Sequence, residues 1–305
     1  LEFDSLQSVI EEFSFQVDQT KLNTSGWSLI SKEAQQLLEK IKSKGVPLKE
    51  YVNGKIYRGI VTGLNKVFVI DQETRNRLID KDSNSAEILK PFLRGRDIKK
   101  YEKPTTDQYV IFTRRGINIE KYPAIVEYLN NFKKELEPRP KDVSSSEWDG
   151  RKPGSYKWYE IQDTIDYYEE FEKPKIMYQV FQIKPCFTYD TKGAYSNNSI
   201  WIIPEAEKSL LAVLNSSLGW YLISNYCTEI RNGYQLIFKY LGQIPICSNK
   251  TVNKKIDSLV DHLLTAKEDN SNSDTSELET EIDQLVYELY DLSKEEIGIV
   301  EGSVG

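Results

Sequence analysis

Two short segments concentrate hydrogen-bond donors: Ile56–Asp71, IYRGIVTGLNKVFVID, and Lys90–Tyr101, KPFLRGRDIKKY. The first carries a Gly/Thr/Asn turn before an apolar run, and the second a basic turn. Backbone N–H groups, the Thr62 hydroxyl, the Asn65 amide and guanidinium groups on so little chain suit a polyanion. The turn also has a purely structural reading, because Gly63 and Asn65 tolerate the positive φ of a tight hairpin. Both readings stand. Gly63-Leu64-Asn65-Lys66 is no Walker loop, since the upstream glycine is misplaced. Arg94, Arg96, Lys99 and Lys100 form the densest basic cluster, and Arg114-Arg115 beside Gly116 a second. Asp97 is read as a partner of Arg94 or Arg96 that shapes the turn. Arg94 and Arg96 lean towards a structural role, whereas Arg114 and Arg115 follow a strand directly and lean towards binding. Lys55, Arg58 and Lys66 flank the first turn. Arg139, Lys141, Arg151, Lys152 and Lys157 lie in the polar 137–158 segment, and Tyr178 and Gln179 follow a later strand start.

Other chemistry is poorly provided for. Cys186, Cys227 and Cys247 are far apart and His262 is the only histidine, which excludes a disulfide framework and an ordinary Cys/His zinc cluster. Ser-His and Cys-His nucleophile arrangements would have to use His262, read as a helix-flank residue. A metal nuclease needs a carboxylate cluster with a nearby lysine. No Glu-x-Lys occurs, and Asp97-Ile98-Lys99 and Gln182-Ile183-Lys184 lack an upstream Pro-Asp. No catalytic residue and no metal ligand is therefore assigned.

The net charge of −7 is unevenly spread: residues 51–160 hold 22 Lys+Arg against 16 Asp+Glu, and residues 161–305 hold 12 against 23. A basic middle beside an acidic tail is compatible with a local polyanion footprint. Many of the 19 tyrosines are expected simply to fill sheet faces. No apolar run is long enough to span a bilayer and no signal-peptide pattern opens the chain, so no membrane partner is expected and a cytoplasmic setting is the default. The start at Leu1-Glu2-Phe3, without Met, reads as part of a longer protein.

The elements that must position these groups follow from periodicity. Residues 1–30 read as a linker. Ser31–Lys42 reads as a helix capped by Ser31 and stopped by Gly45-Val46-Pro47. Lys55–Ile60 and Lys66–Ile70 read as strands around the Thr62–Asn65 turn. Tyr109–Thr113 is another strand, and Tyr122–Leu136 a helix with Pro123 in its first turn. Glu137–Gly154 reads as a long exposed loop. Strands return at KIMYQVF, CFTYD and SIWIIP, and Glu207–Cys227 reads as one helix or a broken pair. Val252, Ile256, Leu259, Val260, Leu263 and Leu264 share their spacings with Leu278, Ile282, Leu285, Val286, Leu289 and Tyr290, which predicts an antiparallel helical hairpin. Ser293 with Glu296 makes a capping box for a last helix. The expected fold is α+β: a mixed or antiparallel sheet with flanking helices over residues 31–248, then the hairpin over 249–305.

With those segments placed, the chain resembles the TaqI-type C-terminal specificity domain of DNA adenine-N6 methyltransferases and combined restriction-modification enzymes. The matching segments are Gly59–Lys66 with Phe68-Val69-Ile70, Lys90–Ile98, Lys121-Tyr122-Pro123, Glu172–Ile176, Leu214-Asn215-Ser216 and Leu241–Ile246, and Ile282–Glu301 resembles the tail that follows the domain. The resemblance implies sequence-specific recognition of double-stranded DNA. It also implies an upstream Rossmann-like domain that binds S-adenosylmethionine and methylates a flipped adenine. No Gly-x-Gly and no Asn-Pro occur here, so neither cofactor loop nor adenine motif is present and no cofactor is expected in this piece. The expected DNA-contacting set is Lys55, Arg58, Thr62, Asn65, Lys66, Arg94, Arg96, Lys99, Arg114, Arg115, Arg151, Lys152, Lys157, Tyr178 and Gln179. The alternative is an interaction module whose acidic hairpin docks to a methyltransferase or restriction subunit.

Overall fold

The Ser31 hydroxyl accepts a hydrogen bond from the Ala34 N–H and starts helix α1, Lys32–Lys44, which buries Leu37 and Ile41. The computed structural model describes residues 31–304, so the segment read as a linker lies outside the described residues. Strand β1 (Val46–Pro47) and the single-turn helix α2 (Leu48–Tyr51) lead to β2 (Tyr57–Arg58). Next come the single turn α3 (Asn65–Phe68), β3 (Val69–Asp71), and α4 (Gln72–Lys81), capped by the Asp71 carboxylate. Strands β4 (Leu89–Leu93) and β5 (Gln108–Ile111) precede α5 (Pro123–Asn130) and α6 (Lys133–Leu136). Proline at the first position of α5 gives up no hydrogen bond, since that N–H has no helical acceptor.

The second half begins with β6 (Lys175–Gln179), β7 (Phe181–Gln182), β8 (Phe187–Asp190), β9 (Tyr195–Ser196) and β10 (Ile200–Pro204). Helices α7 (Lys208–Asn215) and α8 (Ser217–Tyr226) follow, then β11 (Thr228–Ile230), β12 (Gly233–Gln235), α9 (Phe238–Leu241) and β13 (Pro245–Ile246). Three helices end the chain: α10 (Lys250–Asp269), α11 (Ser276–Leu289) and α12 (Lys294–Val304). The fold is α+β.

The central sheet has the order β2-β10-β6-β8, all antiparallel, and both its faces are buried. Alternate side chains of a strand point to opposite faces. Ile176, Tyr178 and Ile203 enter one core, with α1, α7, α8 and the last three helices; Met177, Ile200 and Ile202 enter another, with residues 60–171. A second sheet, β3-β5-β4-β9, belongs to that other core, and its β4–β9 pair is parallel. A third, β11-β12-β7, stands on the rim. A β1–β13 pair ties Val46 to Ile246.

Several expectations need correction. The strands around Thr62–Asn65 form no hairpin: β2 pairs with β10 and β3 with β5, in different sheets. Residues 65–68 are helical, and Gly63 has φ +85° in the turn between. The 122–136 helix breaks at Asn131–Phe132. The α7–α8 break falls at Ser216, whose hydroxyl accepts from the Gly219 N–H at 2.9 Å. Gly219 instead permits close packing, because a Cβ there would lie 2.0 Å from the Val213 carbonyl oxygen.

The helical hairpin forms as α10 and α11, and the Ser293–Glu296 capping box is closed from both sides at 2.7 and 3.3 Å. Its stripes are covered by the chain itself. Ile256, Val260, Leu263, Ile282 and Val286 share a core with Leu37, Leu210 and Leu222, so the cores do not divide at residue 248. Lys40–Glu296, Lys100–Glu279 and Lys208–Asp261 ion pairs fasten the acidic helices to the body.

Candidate nucleic-acid interface

The structure takes part of the expected contact set into the interior. Arg151, at the end of the polar 137–158 segment, is 2 % exposed. Its guanidinium donates to the carbonyl oxygens of Leu136, Thr62, Glu160, Lys157 and Trp158 at 2.6–3.3 Å. The Tyr156 ring centroid lies 4.3 Å from its central carbon. Burial pulls its pKa down to about 10, still cationic at neutral pH. Thr62 is fully buried, its hydroxyl donating to the Asn65 amide oxygen at 2.6 Å and accepting from the Leu64 N–H. Tyr178 is also fully buried, against Phe187. None of these three has surface to offer a duplex.

Three more are committed to local structure. Arg115 donates to the Ser155 hydroxyl at 2.8 Å and the Gln162 carbonyl at 2.6 Å, which holds the 150–162 segment. Gln179 donates to the Gly95 carbonyl at 2.6 Å. The Asp97 carboxylate accepts from the Arg94 N–H at 2.8 Å and lies 3.5 Å from the Arg94 side chain, so Asp97 shapes the turn.

The remaining candidates are outside. Arg96 keeps 71 % of its side chain exposed, with Asp97 only at 3.9 Å. Lys99 is exposed beside Glu102 at 3.0 Å. Arg114 lies over the Tyr168 ring at 5.1 Å, in a cleft of about 400 Å³ that Lys90, Lys121, Phe112 and Tyr195 also line. Lys152 and Lys157 are exposed, and a hydrogen bond to Tyr159 raises the Lys157 pKa. Asn65 is exposed, and Lys66 pairs with Glu135. Arg58 meets Asp163 at 2.8 Å, while Lys55 meets Glu205 at 2.7 Å, whose hydrogen bond raises the lysine pKa.

Sequence reasoning missed the β11–β12 ribbon. Its signal is the two-residue connection Arg231-Asn232 before Gly233, just beyond the expected 207–227 helix, where the sequence reading assigns no element. Ile230 pairs with Gly233, and Arg231 has φ +59°. All of β11 is exposed. Beside it runs a groove of about 540 Å³ lined by Lys99, Gln179, Phe181, Ile183, Lys184 and Cys186. The buried Gln182 amide braces it, donating to the Gln179 and Cys186 carbonyls at 3.1 Å each. Among the described residues no three His, Cys, Asp or Glu side chains converge as metal ligands, and no helix is long and apolar enough to cross a membrane.

The chain as a whole is similar to known proteins. Over 290 residues the chain is 23 % identical to the type II methyltransferase M.BstVI of Geobacillus stearothermophilus, covering 91 % of this chain and 46 % of the relative. The chain thus spans about half the length of that curated relative. Among solved structures it superposes on the type IIL restriction-modification enzyme MmeI, solved in complex with DNA, with a TM-score of 0.55 and 14 % identity. That match covers 80 % of this chain and 34 % of MmeI. The type IIG restriction endonuclease BpuSI aligns with a TM-score of 0.45 and 14 % identity, over 88 % of this chain and 34 % of that one. The MmeI superposition shows a shared fold. Residues 90–246, from the strand before the Arg94–Lys99 turn to the end of β13, match the TaqI-like C-terminal specificity domain, and the chain belongs to that family.

Proposed function

We propose that this chain recognises double-stranded DNA sequence-specifically on behalf of an adenine-N6 methyltransferase of a restriction-modification system. The observation that carries the reading is the family match across the basic turn and the central sheet. The exposed cations Arg96, Lys99 and Arg114 support it, being placed on the turns around β4 and β5 rather than on the acidic helices. Such groups hold phosphates and displace condensed counterions, which gives affinity and register; base edges then supply the choice of site.

The partner implied by the M.BstVI likeness is an upstream methyltransferase domain using S-adenosylmethionine. The described residues do not fit that cofactor: none forms a strand, glycine-rich loop and helix in sequence, and the parallel β4–β9 pair is only two residues long. The chain is therefore read as the recognising part, with methyl transfer elsewhere. The docking alternative gains no support, because the apolar stripes of α10 and α11 are buried against the chain's own helices.

Fluorescence anisotropy with labelled duplexes tests the proposal. Binding should weaken steeply as salt rises, with log K falling linearly against log salt. Binding indifferent to salt, or none at low salt, would contradict it.

A further inference from the structure

The rim sheet β11-β12-β7 displays an unusual outer face. Directly paired residues in an antiparallel ladder share a face, and so do residues two apart on one strand. Phe181 pairs with Gln235 and Gln235 with Thr228, while Ile230 pairs with Gly233. Thr228, Ile230, Gly233, Gln235, Phe181 and Ile183 therefore lie on one side. On the other side Gln182 is buried and Tyr234 packs edge-on against Trp220 at 5.3 Å. The inner side is filled beneath β12 and β7, whereas Glu229 of β11 on that side and the whole outer side stay open. Phe181 and Ile230 are each 38 % exposed and Ile183 57 %. Glycine at 233 makes room for this apolar set, because a Cβ there would lie 2.9 Å from both the Phe181 ring and the Ile183 side chain. Around the patch stand Lys99, Lys184 and Arg231, all exposed, and Arg96 continues the cationic side along the adjoining turn.

An apolar patch edged with cations favours a partner with an anionic frame and an apolar interior surface. Duplex DNA is such a partner: phosphates line its grooves, and thymine methyl groups and base edges form the major-groove floor. Of the three strands β11 is wholly exposed, while β12 is half-buried between β11 and β7, so the outermost two strands present one face and one open edge; a groove about 12 Å across accepts a two-stranded ribbon. Its turn sets a non-glycine residue, Arg231, in a left-handed conformation at the tip.

We propose that the β11–β12 ribbon, backed by Phe181 and Ile183, is the element that enters the major groove of the target. Thr228 and Ile230 meet base edges and thymine methyls, the Gln235 amide is placed for an adenine edge, and Lys99, Lys184 and Arg231 hold the flanking phosphates. The assignment rests on the DNA-recognition reading above and names the reading element within it.

The test uses the chain with a fluorescein-labelled duplex enriched from a randomised pool by repeated binding to the wild-type chain, because phosphate contacts dominate binding to unselected sequence. The exposed double substitution Phe181→Ser/Ile183→Ser, and separately Ile230→Ser, should weaken binding by about tenfold, the size of a lost base contact, with thermal unfolding unchanged. Lys184→Glu with Arg231→Glu should weaken it further and flatten the salt slope by about 2. Cys186 lines the groove, whereas Cys227 and Cys247 are buried, so saturating duplex should slow maleimide labelling of Cys186 alone. Wild-type affinity and salt slope in every variant, with Cys186 labelling unaffected by duplex, would overturn the inference while leaving DNA recognition intact. Apolar variants that keep DNA affinity but lose binding to a methyltransferase domain would also overturn it, in favour of a protein-docking face. A wild-type chain that binds no duplex at low salt removes the recognition reading and this inference together.

Discussion

Arg151 and Arg114 look alike in the sequence and do opposite work. Arg151 closes five carbonyl groups around one buried guanidinium; Arg151→Ala strips the guanidinium donor from the Leu136, Glu160 and Trp158 carbonyls, while those of Thr62 and Lys157 keep the Gln162 and Glu160 N–H groups. The loss should be about 3 kcal/mol or more by urea denaturation; a change below about 1 kcal/mol would show that water replaces the guanidinium. Arg114 makes no carboxylate pair among the described residues and rests on an aromatic face. Arg114→Ala should leave unfolding unchanged, weaken duplex binding across sequences and lower the salt slope by about 1. Residue type could not separate the two. What buries Arg151 is the arrival of Phe68, Leu136 and Tyr156 from different segments, a long-range event that local polarity concealed. Tyr178 misled for a related reason: its strand has two covered faces, so alternation assigned it to a core rather than to a surface.

Among elements, legibility followed range. The α1 cap, the proline start of α5, the matched stripes of α10 and α11 and the Ser293–Glu296 box are all written within a few residues, and all are present. The partners of β2 and β3 are not, because β2 waits for β10 and β3 for β5. The β11–β12 ribbon was hidden by its short strands and by a non-glycine residue at the positive-φ position of its turn. Two predictions belong here. Ile256→Ala in α10 should cost about 2–5 kcal/mol and lower one transition shared by the whole chain, since Ile256 lies in the core of α1 and α7. A separate early transition of the helices would contradict that. Lys175 on β6 is fully buried, donates to the Phe171 carbonyl at 2.6 Å and pairs with Asp190, whose carboxylate also accepts from the Lys192 and Ala194 N–H groups. Lys175→Met leaves that carboxylate unpaired and should cost about 3–5 kcal/mol in urea denaturation.

At the scale of the whole molecule, buried tyrosines govern the alkaline limit. Burial, with Glu87 beside Tyr122 and Asp283 beside Tyr287, pushes both phenols up to about 12. Tyr101, Tyr178 and Tyr290, fully enclosed, are also raised, chiefly by burial. An unfolded phenol releases its proton near pH 10. These groups thus remain protonated in the folded chain where the unfolded chain has ionised. The contribution of Tyr122 and Tyr287 is complete below about pH 10 and is lost as the pH climbs through about 12. Tyrosinate absorbance should therefore rise in two stages, exposed rings first and the buried set together with loss of circular dichroism. A single smooth titration near pH 10, with the fold intact, would contradict this.

The central sheet is also a partition. Because β6 and β10 show successive side chains to two different cores, a substitution beneath the cationic turns is felt on one side and hardly on the other. A change in residues 60–171 can be absorbed by repacking in one core while the helical core keeps its own contacts, whereas the strands facing both ways, with Ile176, Met177, Ile202 and Ile203 packed from either side, cannot shift one face without moving the other.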